Sequence, residues 1–242
     1  MSEAAASGPL AGQTALVTGA SRGIGAATAR ALAAAGAHVI LVARTAKDLE
    51  AVEQDIFDAG GAATIAPVDL AEPDGIARLA AALSTRWKSL DVLVINAAAF
   101  PHLGPVAQIE SREFNTVMTL NVMATQALLA NFDGMLKRSP AATVIGVTSS
   151  VAAAPRAYWG AYGASKAAME NLLDCYAQET RTISSVRVAI LDPGATRTKM
   201  RARAYPGEDP ASVKPPETVA ERVVSLLGQQ FASPHRLRVN QS

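Results

Sequence analysis

The chain has 242 residues, half of them apolar and 18% charged. That balance supplies a sizeable core and excludes disordered, collagen-like and coiled-coil classes. Twenty-two Lys and Arg offset 21 Asp and Glu, and a net charge of +1 argues against nucleic acid or an anionic membrane as the main partner. The single cysteine, Cys175, forms no internal disulfide or Cys-rich metal site, and His38, His102 and His235 lack helical ligand spacing, so no metal is expected. The longest strongly apolar strand-like run, 39–43, is far short of the roughly 18 residues that span a bilayer. Residues 1–9 carry no basic cluster and do not read as a secretory signal, so the expectation is a cytoplasmic protein with a flexible tail over 1–10.

In chain order, an apolar run at 14–18 ends in glycines and reads as a first strand. Residues 23–35 have helical period and stop at Gly36. A β-branched strand at 38–43 is followed by an amphipathic helix over 47–59, closed by Gly60 and Gly61. A third strand falls at 64–68, and the next helix, 73–87, is expected to begin at Pro73. The fourth strand is 92–95, a long helix runs from about 108 to 137, and the fifth strand is 143–147. A second long helix covers 160–182, the sixth strand 186–191 and the last helix 215–229, with an edge-strand candidate at 237–239.

Strands of four to six residues, apolar on both faces and separated by helices, indicate βαβ units. Right-handed crossovers then predict a single α/β domain over 11–242, a doubly wound (Rossmann-type) parallel β-sheet with helices on both faces. A stretch at about 199–216, rich in Pro and Gly, is too long for a simple connection and reads as a short substrate lid.

Thr18-Gly19-Ala20-Ser21-Arg22-Gly23-Ile24-Gly25 lies between the first strand and the first helix. Glycines there allow a tight turn and a close approach to a pyrophosphate, which the free N–H groups and dipole of the helix N-terminus attract. The spacing is GxxxGxG rather than GxGxxG. At the end of the second strand, Val42-Ala43-Arg44 has no carboxylate until Asp48. An acid there would accept from the adenosine ribose and repel a 2′-phosphate. Arg44 and Arg22 instead favour NADP, because guanidinium groups bind phosphate in bidentate fashion. Asp69, after the third strand, is placed to accept from the adenine amino group. Asn96-Ala97-Ala98-Ala99 ends the fourth strand with small residues against which a ribose can lie.

Tyr162 and Lys166 are four apart near the start of a long helix, on one face and about 6 Å apart along its axis. An ammonium beside a phenol favours the phenolate, which can exchange a proton with a carbonyl or alcohol oxygen. Bringing a phenol from about 10 to near 7 takes roughly 4 kcal/mol, more than one partly solvated lysine supplies. The fifth strand ends in Thr148-Ser149-Ser150. The thirteen-residue spacing to Tyr162 and the strand alignment select Ser149 to donate to the substrate oxygen. Phe100, His102, Tyr158, Trp159, Met200 and Tyr205 are candidates for pocket walls, and Cys175 reads as an inert buried thiol.

With these pieces in order, the chain from about 10 to 239 resembles the short-chain dehydrogenase/reductase family. The matching segments are TGASRGIG (18–25), Asp69, NAAA (96–99), Asn121, Ser149, YGASK (162–166) and DPGATRT (192–198). The resemblance implies that Tyr162 is the general acid/base and Ser149 the positioner of the substrate oxygen. It also implies that Lys166 binds the nicotinamide ribose and tunes Tyr162, while Asn121 holds a water in a proton relay. Pro193, Gly194, Thr196 and Thr198 would pack against the nicotinamide and its carboxamide. The family's long helices pair across two-fold axes, implying a homodimer or homotetramer. Three departures stand out: Ala98 where glycine is usual, Asp192 where Asn is common, and a C-terminus without the usual TG…DGG ending. The expected activity is NADPH-dependent interconversion of a carbonyl and an alcohol. A catalytically silent NADP-binding sensor or scaffold is the alternative, and a nucleotide-sugar epimerase is disfavoured because little chain follows Pro193 to build a sugar subdomain.

Overall fold

The computed structural model describes residues 8–240. Seven parallel strands form one sheet in the order β3-β2-β1-β4-β5-β6-β7. They are β1 Thr14–Thr18, β2 His38–Ala43, β3 Ala62–Pro67, β4 Val92–Ile95, β5 Thr143–Val147, β6 Arg187–Asp192 and β7 His235–Arg238. The order reverses between β1 and β4, which opens a crevice beyond the carboxyl ends of the strands. All residues of β1, β4 and β5 are buried, as expected of strands covered on both faces.

Helices α1 (Gly23–Ala34), α2 (Ala46–Asp58) and α8 (Pro216–Leu227) cover one face, through Leu32, Leu49, Ile56 and Val223. Helices α3 (Gly75–Arg86), α5 (Ala124–Arg138) and α6 (Gly160–Thr180) cover the other, through Leu79, Phe132, Met169 and Leu173. At Gly146 of β5, a Cβ would stand 2.2 Å from Leu173 Cδ1, so glycine lets α6 lie close to the sheet.

The largest departure from the expected elements is the long helix at 108–137. A 3₁₀ turn (Val106–Gln108) is followed by α4 (Ser111–Met118), a π-turn at Thr119–Met123 and then α5. The π-turn is where the Asn121 side chain turns inward, and a local i→i+5 pattern makes room for it. Helix α3 starts at Gly75, later than Pro73, because Asp74 sits in the left-handed region (φ 57°). β7 begins at His235, ahead of the expected 237, and pairs with β6 from Ala189 to Asp192. Leu10, placed in the tail by the sequence reading, is buried and donates its N–H to Ala35 O at 2.9 Å. The rest of that expected tail, residues 1–7, lies outside the described residues. The expected lid carries its own structure, α7 (Lys199–Ala204) and a 3₁₀ turn at Pro210–Ser212. No helix among the described residues is long and apolar enough to cross a membrane.

Candidate active site

The glycine turn is held by a small network. Thr18 Oγ1 donates to Val94 O and accepts from the N–H groups of Asn96 and Ala97, which ties β1 to β4. Asn96 Nδ2 donates to Thr18 O at 2.9 Å and Gly19 O at 3.4 Å, so this side chain shapes the turn from behind. Gly19 and Gly23 adopt φ of 66° and 55°, where a side chain is strained. At Gly25 a Cβ would stand 2.1 Å from Gly19 O. The turn thus keeps its backbone bare at the N-terminus of α1, as a diphosphate cradle requires.

Ala20 N donates to Val42 O at 3.1 Å, which brings the turn beside the end of β2. Arg22 and Arg44 are exposed on either side of this contact. Neither makes an ion pair or hydrogen bond among the described residues, and two unneutralised guanidinium groups fit a phosphate on the adenosine side of a dinucleotide. Ser21 and Ile24 are half-buried in the same turn, and Asp69 Oδ1 takes the N–H of Ala71 at 2.9 Å.

Tyr162 and Lys166 are both buried at the start of α6. The Tyr162 ring packs edge-on against Phe100 (centroids 5.1 Å) and Trp159 (6.2 Å), and its hydroxyl meets Met200 Sδ at 3.8 Å. Lys166 Nζ donates to Val147 O at 2.8 Å, touches Met169 Sδ at 3.7 Å and stands 5.8 Å from the centre of the Tyr162 ring. Burial first, and the charge of Asp192 second, hold the phenol well above its usual range. Burial also pulls the Lys166 ammonium down to about 8, against the opposing pull of Glu170. The protein's own groups therefore work against the phenolate, because burial disfavours the charged form of both groups and Asp192 adds a like charge beside the phenol.

Asn121, on the π-turn, is fully engaged through its side chain. Oδ1 accepts from Ala99 N at 2.7 Å, and Nδ2 donates to Ala99 O (3.0 Å) and Ser165 Oγ (2.9 Å). Ser165 Oγ in turn donates to Tyr162 O at 2.8 Å. The Asn121 side chain is thus a strut from the end of β4 to the turn carrying Tyr162 and Lys166. Its backbone carbonyl takes the Thr125 hydroxyl at 2.9 Å.

The end of β5 presents both serines, half-buried, with no side-chain bond to Tyr162 or Lys166 among the described residues. Alternation along the strand sets the faces of the residues before them. Val144, Gly146 and Thr148 face α6, the last through its hydroxyl on Glu170 Oε1 at 2.5 Å. Ile145 and Val147 belong to the opposite face. β5 ends at Val147, and the chain then turns, with the carbonyls of Ser149 and Ser150 accepting from Ala152 N and Ala154 N at 2.9 Å each, so the alternation stops at Thr148.

After β6, Asp192 Oδ1 takes the N–H of Gly194 (2.9 Å; φ 62°) and shapes the Pro193-Gly194 turn. Thr196 Oγ1 donates to Pro193 O, and the buried Lys214 donates to Ala195 O at 3.0 Å. Thr198 caps α7 and comes over Gly23, where a Cβ would meet Thr198 Cγ2 at 3.3 Å. The two glycine-bearing motifs, 175 residues apart between Gly19 and Gly194, therefore converge on one crevice.

The 199–216 segment brings Met200 to the Tyr162 hydroxyl and Tyr205 to Trp159 (centroids 5.9 Å). Arg201 pairs with Glu208 and lies 3.6 Å above the Tyr205 ring. Two sequence readings are corrected here. Tyr158 is exposed with φ 73° and forms no inner wall, since its backbone conformation turns it outward. Cys175 is exposed too, because α6 turns Leu173, Tyr176 and Ala177 inward instead. The sequence reading passed over Ser165 and Glu170, although both are polar residues on the α6 face that carries Tyr162 and Lys166.

Residues 13–209 match the short chain dehydrogenase family model. The uncharacterized oxidoreductase YciK of Escherichia coli K12 is 34% identical over 216 residues, 88% of this chain and 85% of that protein. A fatty acyl-CoA reductase of Acinetobacter baylyi is 36% identical over 69% of the chain, which spans only 57% of that longer protein. Among solved structures, a short chain dehydrogenase from Pseudomonas syringae superposes with a TM-score of 0.92 at 39% identity, covering 96% of each chain. One from Escherichia coli CFT073, complexed with NADPH, gives 0.86 at 32% identity, covering 93% of this chain and 96% of the other. With the parallel sheet, the bare glycine turn and the buried Tyr162–Lys166 pair already in place, these matches establish that the chain belongs to the short-chain dehydrogenase/reductase family of oxidoreductases.

Proposed function

We propose that this protein uses NADP(H) to interconvert a carbonyl and an alcohol, with Tyr162 as general acid/base. The observation that carries this reading is the convergence of a buried Tyr162–Lys166 turn, the Pro193-Gly194 turn and the bare glycine turn on one crevice. Gly19, Ser21, Arg22, Gly23, Ile24 and Gly25 would hold the diphosphate. Arg22 and Arg44 would hold the 2′-phosphate, Asp69 the adenine, and Ala97, packed behind Gly19, a ribose edge. The NADPH complex of a relative so similar in fold supports the same choice of cofactor.

When bound, the nicotinamide supplies or accepts the hydride. On the protein's side, Tyr162 Oη gives its proton to the carbonyl oxygen in reduction and takes one from the alcohol in oxidation. Lys166 keeps N–H donors beyond the one spent on Val147 O, and these would take the ribose hydroxyls and stabilise the phenolate. The backbone carbonyl of Asn121 would hold the relay water while its side chain keeps the turn in place. Pro193, Gly194, Thr196 and Thr198 would flank the ring and leave one face open. Displacement of Met200 from the hydroxyl would admit substrate, with the 199–216 segment as lid. Phe100, Trp159 and Tyr205 favour an apolar or flat carbonyl body. Asn121, Ser149, Tyr162 and Lys166 are all present, which disfavours a silent sensor. A homodimer or homotetramer is part of the same proposal.

A panel of ketones, aldehydes and acyl thioesters, followed by loss of NADPH absorbance, tests the reading. Turnover of apolar members above polyhydroxylated ones is expected. Tight NADPH binding with no turnover across the panel would instead establish a sensor. The substrate-oxygen donor is decided by a pair of variants. The thirteen-residue spacing to Tyr162 selects Ser149 over its neighbour Ser150. Ser149→Ala is expected to lower kcat/KM by about 10²-fold, the scale of one transition-state hydrogen bond. Ser150→Ala should cost much less, and the reverse ranking would move the role to Ser150.

A further inference from the structure

The edge strand β7 carries arginines at 236 and 238, two apart and so on one face of the strand. Each reaches a carboxylate beside the Tyr162–Lys166 pair. Arg236 binds Glu170 Oε2 at 2.7 Å and Asp174 Oδ2 at 2.5 Å, which anchors the strand to α6. Arg238 Nε stands 3.4 Å from Asp192 Oδ2, while the other oxygen of Asp192 is spent on Gly194 N. Both acids are mostly covered, at 15% and 16% exposure, and both arginines are about half exposed, at 51% and 60%.

The two acids act on different members of the pair. Asp192, on β6, is the charged group that opposes ionisation of Tyr162. Glu170, one turn beyond Lys166, supports the ammonium. The other charges around them are Lys214, which faces Asp192 from the 199–216 segment, and Arg201 beyond it. On the outer side of the Tyr162 ring, Arg203 lies over Phe100 at 5.7 Å. An aspartate next to a phenol that must ionise works against the reaction unless a cation offsets it.

We propose that β7 is an electrostatic part of the active site, with Arg238 a positioning residue that holds Asp192 and cancels its charge at Tyr162. The idea rests on Tyr162 as the acid/base. Arg238 stays more than half exposed, so water screens its effect and the expected magnitude is modest.

The test is the pH profile of kcat/KM for alcohol oxidation with NADP⁺, measured on the full chain. Activity rises as Tyr162 loses its proton, and the midpoint of that rise is the readout. Arg238→Gln is expected to move it up by about 0.2–0.7 pH unit. Arg238→Lys, which keeps the charge, should retain the wild-type midpoint. Asp192→Asn, which keeps an acceptor for Gly194 N, should move it down, and adding Arg238→Gln to that variant should raise it again, because the two charges act additively on the phenol. A purely structural role for Arg238 would move the midpoint in neither background. An unmoved or lowered midpoint in Arg238→Gln overturns the proposal. Tyr162→Phe keeps the two ideas apart. If that variant is inert while Arg238→Gln leaves the midpoint fixed, only the role of β7 fails; if it remains active, the acid/base reading fails first.

Discussion

Tyr162→Phe is expected to lower kcat for carbonyl reduction by about 10²–10⁴-fold, the range for loss of a positioned general acid. The variant separates chemistry from folding cleanly. Among the described residues the hydroxyl's one hydrogen-bond contact is Met200 Sδ, at 3.8 Å, while the ring is held by Phe100 and Trp159, contacts that Phe retains. Removing a poorly partnered buried hydroxyl costs little stability. Thermal melting close to wild type, NADPH still bound and turnover lost is therefore the expected combination. In wild type, reduction should fall as pH rises through the phenol ionisation, because it uses the protonated form, and oxidation should rise. Burial and Asp192 push that ionisation upward, so the phenolate depends on Lys166 and on the positive ring of the oxidised cofactor. Parent-rate reduction by Tyr162→Phe would remove the mechanism.

Arg44→Asp is expected to weaken NADPH binding by about 10–100-fold, the worth of a charge-assisted bond to phosphate plus the repulsion introduced by a carboxylate. NADH binding should improve in the same variant, because an acid at the end of β2 can accept from the ribose hydroxyls. Titration of both cofactors by fluorescence, at one fixed ionic strength, checks this. The expectation rests on Arg22 and Arg44, each two residues beyond the contact between Ala20 N and Val42 O, both exposed and without an acidic partner among the described residues. Tighter NADH than NADPH binding by the wild-type protein would refute the two-arginine argument.

Much of this architecture is legible in the sequence because its signals are local. β1, β2, β4 and β5 fall at the expected residues, since an apolar run buried on both faces and bounded by glycine or polar residues admits few other readings. Family membership was legible for a similar reason, as it rests on short motifs in fixed order. The features that escaped are those whose partners lie far along the chain. Nothing near Asn121 announces a π-turn, because its partners are Ala99 and Ser165. The face of Thr148 is seen only once Glu170 stands opposite. The sign of the perturbation at Tyr162 was also out of reach. One helical turn to Lys166 is readable, but the depth of burial that outweighs it comes from Phe100, Trp159 and the 199–216 segment together.

The π-turn at Thr119–Met123 makes this protein unusually sensitive to chain length at one place. A π-turn accommodates one residue more than the α-helix on either side of it. Excising a single residue there would let α4 and α5 fuse into one regular rod, with better local backbone geometry than before. Each residue of an α-helix turns the chain by about 100°, so the fused rod would carry residue 121 round to another side and leave Ala99 and Ser165 without their bridge. A one-codon deletion could thus yield a well-folded helix and an unbraced reaction centre, a loss that no point substitution on the surface of that helix would reproduce.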